Sequence, residues 1–146
     1  MLYGILRPMR IENSIEIDAP IARVWDVTLD VESWPDHTST ITSVERLDTG
    51  PIAVGSCARV KQPAQRSKVW TVTSLEPDKQ FAWATKVMGT TMTGSHVLSS
   101  TATGTTNTLT IEIEGALAPI VGALIRLPIR KAIATENEGI KTAAEA

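Results

Sequence analysis

Gln62, Trp70, Trp83 and His96 are the residues of this chain whose types and spacing point most directly to chemistry. They occupy matching positions on successive β-type segments. Strand alternation sets Val60 and Gln62 on one face, matched by Trp70 and Val72, Phe81 and Trp83, His96 and Leu98, and Leu109, Ile111 and Ile113. A sheet face that carries large aromatics and two polar groups describes a ligand pocket. An inward amide or imidazole without partners costs about 1–3 kcal/mol. Gln62 and His96 therefore either pair with each other, backbone or buried water, or orient a polar group of a ligand. His96 is the candidate general acid or base, because an unperturbed imidazole titrates near pH ~6.5 and serves both roles near neutrality. The competing reading is that Trp70 and Trp83 fill a small core, each burying roughly 150–250 Å².

Other reactive types are placed less favourably. Met88 and Met92 border a hairpin, where flexible thioethers adapt to apolar ligands of different shape or pack in the core. Arg66 and Lys68, with Arg126 and Arg130, offer either an attraction for an acidic head group or a solvated charged face. Cys57 shares its strand parity with Arg59 and Lys61, opposite to Val60 and Gln62, and is expected outside the pocket. His37, Cys57 and His96 lack any close-spaced ligand pair, so no metal and no cofactor are expected. Glu112 and Glu114 alternate with Ile111 and Ile113 and read as a solvated strand face, not as an acid/base pair.

The elements that must position these residues follow from periodicity and turn chemistry. Ile11, Asn13, Ile15 and Ile17 alternate with charged and polar residues, giving a first strand. Asp18-Ala19-Pro20 opens a helix carrying Val24 and Trp25, with the Asp18 carboxylate near free amides. A second short helical turn spans Val31 to Trp34 and is interrupted by Pro35. Strands are expected at 41–48, 56–62, 67–76, 79–87, 91–101 and 105–114, joined by short turns in an antiparallel meander. The last segment, about 117–144, is an amphipathic helix with Leu117, Ile120, Val121 and Leu124 near one stripe, kinked or broken at Pro128. The part before Pro128 is expected to roof the pocket, which adds those four residues to the ligand-lining set. The result is an α+β domain whose seven-stranded curved antiparallel sheet is packed on one side.

With 146 residues, 21% charged residues and a net charge of −2, the chain fits one domain without the field expected of a nucleic-acid binder. Residues 1–10 read as an extended leader without signal-peptide features, Met9 being a second candidate start, and 11–146 as the domain. The longest uncharged apolar run, Ala116 to Ile125, is about half of the ~20 residues a membrane span needs, so no integral insertion is expected. One cysteine excludes an intrachain disulfide and suits a reducing cytoplasm.

Several short motifs carry a family resemblance: Ile17-Asp18-Ala19-Pro20 with Val24-Trp25, Trp34-Pro35, Gln62-Pro63, Trp70-Thr71-Val72, Phe81-Ala82-Trp83, His96-Val97-Leu98 and Gly104-Thr105-Thr106. Together they resemble the SRPBCC superfamily, in its polyketide cyclase/dehydrase and lipid-transport branch related to START and Bet v 1 proteins. The resemblance implies a helix-grip fold with a hydrophobic tunnel between sheet and last helix, and no universal catalytic residue. His37 and Pro128 depart from the family pattern. The implied function is binding or carriage of a small hydrophobic or aromatic molecule, such as a lipid, polyketide or other secondary metabolite. The alternatives are a polyketide cyclase/dehydrase-like enzyme using His96 as acid/base, and an interaction domain with a filled core. Oligomeric state is open.

Overall fold

The structure, a computed structural model, describes residues 9–146. Most of the expected leader lies outside the described residues, while Met9 and Arg10 already belong to the first strand. Strand β1 (Met9–Ile17) is followed by helix α1 (Ile21–Leu29) and a 3-10 helix (Val31–Asp36). Six strands then follow: β2 (Ser43–Arg46), β3 (Cys57–Lys61), β4 (Lys68–Glu76), β5 (Gln80–Val87), β6 (Thr90–Ser100) and β7 (Thr105–Glu114). The long helix α2 (Ala118–Glu145) ends the chain.

Every neighbouring pair is antiparallel, and the sheet order is β1-β7-β6-β5-β4-β3-β2. The short connections from β4 to β7 enforce the meander there, because a tight turn can only join antiparallel neighbours. The chain closes on itself by β1 joining the far edge beside β7. A register shift between Val72 and Ser74 bends β4, as an extra residue in one strand does. The result is a curved sheet with α2 laid along its concave face.

Local signals were met with three exceptions. Helix α1 starts after Pro20 with no side-chain cap, and the Asp18 amide instead donates to Glu145 of α2 at 2.7 Å. Pro35 lies inside the 3-10 helix rather than ending it. Pro128 does not break α2, which continues on both sides of it. Pro128 has no N–H to donate to the Leu124 carbonyl, and the ladder resumes after it.

Two features fix α2 on the sheet. Asn137, fully buried, donates to the Asn13 side chain at 2.8 Å and to the Asn107 carbonyl at 3.2 Å, while accepting from the Asn107 amide at 2.8 Å. This network ties the helix to β1 and β7 in one register, since a slip would strand buried amides. At Gly139 a Cβ would sit 2.1 Å from the His37 carbonyl oxygen, so only glycine permits this approach to the loop after the 3-10 helix.

Candidate functional site

Between the concave sheet face and the middle of α2 lies a cavity of about 560 Å³, within the roughly 300–1,000 Å³ of small-molecule sites. Its sheet side presents Val60, Gln62, Trp70, Trp83, Met92, Gly94, His96 and Ile111, with Met88 at the rim. Gly94 makes room on the floor. A Cβ there would already lie 3.4 Å from Ile111 and 3.7 Å from both Trp70 and Trp83. The exposed or half-buried Arg66, Lys68, Lys86 and Met88 mark the mouth, at the tips of the β3–β4 and β5–β6 hairpins.

Strand parity put the right face inward, yet only the central part of that face meets open space. Phe81 and Ile113 have no accessible surface, and Val72 and Leu98 are buried in the core. These four share the face but not the cavity, because the curved sheet and α2 converge away from its middle. The helix residues need a larger correction. Leu117, Ile120 and Leu124 are 48%, 63% and 69% exposed, and Val121 is buried without lining the cavity. The roof is instead Ile125, Pro128, Ile129, Ala132, Ile133 and Glu136, on a stripe rotated by about one residue and running from Ile125 toward the C-terminus. The early part of α2 is apolar all round, so its pattern could not select the face that turns inward.

An aromatic cluster shapes the wall. Trp34, on the 3-10 helix, stands 5.2 Å from Trp83 and 5.2 Å from His96 between ring centroids. Phe81 lies 5.6 Å from His96 and 5.2 Å from Trp83, so the imidazole is held between aromatic rings. The indole N–H of Trp34 donates to the carbonyls of Val27 and Thr28 at 3.3 and 3.2 Å, which fixes the ring. Trp34 was legible only as a fold motif, since its neighbours come from strands far along the chain.

Two titratable groups inside the cavity, His96 and Glu136, are shifted in opposite directions. Burial pushes the His96 imidazole down from 6.5 to about 4, and its Nδ1 has no hydrogen-bond partner among the described residues. It is a neutral imidazole at physiological pH. Glu136 was not anticipated, although it continues the stripe Ile129, Ala132, Ile133 by three residues. Burial pushes its carboxyl up from 4.5 to about 7, partly offset by the Thr40 hydroxyl, which donates to Oε2 at 3.1 Å. Glu136 is half-buried and lines the cavity. Gln62 donates its amide to the Thr40 carbonyl at 3.3 Å, so Gln62, Thr40 and Glu136 form one connected polar cluster at the cavity.

The remaining candidates lie elsewhere. Cys57 touches the Thr71 hydroxyl at 3.3 Å, outside the main cavity, and Glu112 pairs with Arg10 at 2.8 Å. Glu114 is exposed. His37 packs against Gly139 of α2 rather than lining the cavity, and burial lowers its pKa.

Comparison with known proteins places this architecture. One curated relative, named "Putative polyketide cyclase" and from Streptomyces cyaneus, is 38% identical over 60 residues. That stretch is 41% of this chain and 39% of the relative, so the chain spans about two fifths of the curated protein it matches. Among solved structures, the di-domain ARO/CYC StfQ from the steffimycin biosynthetic pathway superposes with a TM-score of 0.78 at 11% identity, over 97% of this chain and 52% of that one. The Zhui aromatase/cyclase from Streptomyces sp. R1128 gives 0.73 at 18% identity over 94% of each chain. Ara h 8.0201 gives 0.72 at 10% identity, covering 94% of this chain and 97% of that one. At these identities the superpositions establish the shared Bet v 1-like fold. The sequence profile of the family described as "Polyketide cyclase / dehydrase and lipid transport" matches residues 8–145, and the chain belongs to that family.

Proposed function

We propose that the chain binds a small hydrophobic or aromatic molecule in the cavity under α2, with the polar cluster at Gln62 and Glu136 and the His96 imidazole hydrogen-bonding its oxygen functions. The observation that carries this reading is a 560 Å³ space whose apolar walls are interrupted by a few converging polar groups. A filled-core interaction domain would leave no such space. Up to about pH 7 Glu136 carries a proton to donate, and His96 is a neutral acceptor or donor. Both therefore suit a neutral carbonyl, phenol or alcohol better than an anion at the inner end.

The test is uptake of a neutral fluorescent probe, N-phenyl-1-naphthylamine. Gly94→Leu projects a side chain into the floor, and we expect at least a tenfold loss of probe affinity while the circular dichroism spectrum is kept. Trp83→Ala, which enlarges the same wall, should change affinity without blocking uptake. Absence of probe binding by the folded wild type, or equal binding by the Gly94→Leu variant, refutes the reading.

A second reading, acid–base catalysis on a bound polyketide-like substrate, is favoured by the opposed pKa shifts of Glu136 and His96. Environments that push two groups apart assign them as acid and base. Glu136 would deliver a proton and His96 would accept one during cyclisation or dehydration. In that case Glu136→Gln and His96→Gln should each lower turnover about 10²–10⁴-fold while leaving binding nearly intact. Loss of binding alone would return both residues to ligand orientation.

A further inference from the structure

The outer face of α2 is at odds with a water-exposed helix. Leu117, Ile120, Leu124 and Leu127 follow one another at spacings of three, four and three residues, and are 48%, 63%, 69% and 73% exposed. The inward stripe of the same turns is also apolar, with Ala118, Val121, Gly122 and Ile125. No charged side chain occurs between Ala116 and Ile125. A surface helix ordinarily puts polar residues outward, so an apolar outer face marks a surface that is covered in function.

This face continues to the cavity mouth. Met88, 57% exposed, sits at the β5–β6 hairpin tip with φ of +47°, followed by Gly89 at +76°. That two-residue turn favours Asn or Asp at the first position, and a bulky apolar residue there is strained as well as exposed. Leu117 reaches the same tip, its Cδ1 lying 3.5 Å from where a Gly89 Cβ would stand. Hairpin tip and helix start thus form one apolar surface.

Charge around this surface is one-sided. Arg126, Arg130 and Lys131 stand at and just beyond the C-terminal end of the stripe on α2, and Arg66, Lys68 and Lys86 stand at the mouth. None of the six takes part in an ion pair among the described residues. Lys68 and Lys86 donate only to the neutral Gln65 and Thr91 side chains. Arg126 and Arg130 repel each other at i and i+4, in the helix interior where the macrodipole offers nothing in return. The carboxylates nearest in sequence to the stripe are the exposed Glu114 before it and the half-buried Glu136 after it. For a chain of net charge −2 this is a local excess of cations beside exposed leucines.

We propose that this face, Leu117, Ile120, Leu124 and Leu127 with Met88 and the surrounding cations, docks on an anionic lipid bilayer surface. The leucines enter the headgroup boundary, and the cations meet lipid phosphates. A two-fold pairing of two chains through this face would instead set the same uncompensated cations of both copies around one interface. Docking turns the cavity mouth toward the bilayer, and only that consequence rests on the ligand-binding reading.

The experiment is flotation of the 146-residue chain, without added ligand, on phosphatidylcholine vesicles with and without phosphatidylglycerol. The wild type should float with the anionic vesicles and be released as salt shortens the Debye length from ~10 Å at 0.1 M. Leu124→Glu with Leu127→Glu, at exposed positions that leave the core untouched, should abolish flotation. Arg126→Gln with Arg130→Gln should weaken it by about fivefold per cation. The proposal is overturned if the wild type stays with the soluble fraction, or if the leucine variant floats like the wild type. It is equally overturned if light scattering finds a dimer that the leucine variant dissociates while anionic vesicles remain unbound.

Discussion

The opposed shifts of His96 and Glu136 make folding stability depend on pH in two compensating ways. In the folded chain His96 stays neutral down to about pH 4, whereas the unfolded imidazole takes up a proton near 6.5. Unfolding therefore absorbs a proton between those values, and stability falls as pH drops through them. Glu136 acts with the opposite sign. Its folded carboxyl holds its proton up to about pH 7, while the unfolded one releases it near 4.5. The stability this proton contributes is complete below the unfolded pKa and is lost as pH rises through the folded one. At ~1.36 kcal/mol per pH unit, each displacement amounts to about 3 kcal/mol at full extent. Between about pH 4.5 and 6.5 the two slopes cancel in the wild type, and removing either group should unmask the other. Relative to His96→Gln, the wild type should lose about 2 kcal/mol on going from pH 7 to 4.5. Relative to Glu136→Gln, it should lose about 2 kcal/mol on going from pH 5 to 8. Urea unfolding followed by the fluorescence of the buried Trp25, Trp34, Trp70 and Trp83 gives both differences. His37 is also pushed down by burial, but it is common to all three proteins and drops out. If wild type and variants run parallel across pH to within ~0.5 kcal/mol, the cavity is wetter than its lining implies. The assignment of a neutral His96 and a protonated Glu136 to the same cavity then fails.

Two further substitutions test how α2 is held. Asn137→Ala deletes the bonds to Asn13 and Asn107 and leaves the Asn107 amide without its partner, so we expect a loss of about 3 kcal/mol, read from the urea midpoint; a loss under ~0.5 kcal/mol would show that the network does not fix the helix. Gly139→Ala forces a methyl to within 2.1 Å of the His37 carbonyl unless helix and loop separate, and should cost more than about 2 kcal/mol and lower the thermal midpoint; an unchanged midpoint would mean the loop yields freely.

The sequence by itself determined what depends on local period and turn chemistry. Alternation with period two assigned Gln62, Trp70, Trp83 and His96 to the inner face, and Pro/Gly turns delimited a meander that could only be antiparallel. Tertiary structure decided the rest. Whether an inward residue meets a cavity or its neighbours depends on where helix and sheet separate, which is why Phe81, Val72, Leu98 and Ile113 pack while Gly94 and Met92 line space. The start of α2 is apolar all round, so hydrophobic pattern alone could not tell that Leu117, Ile120 and Leu124 turn outward while Ile125, Ile129 and Ile133 turn in. That rotation is fixed at a distance, by Asn137 against β1 and β7 and by Gly139 against the His37 loop. Glu136 owes its raised pKa to the same placement, because desolvation is set by everything packed around a carboxyl and not by its neighbours in sequence.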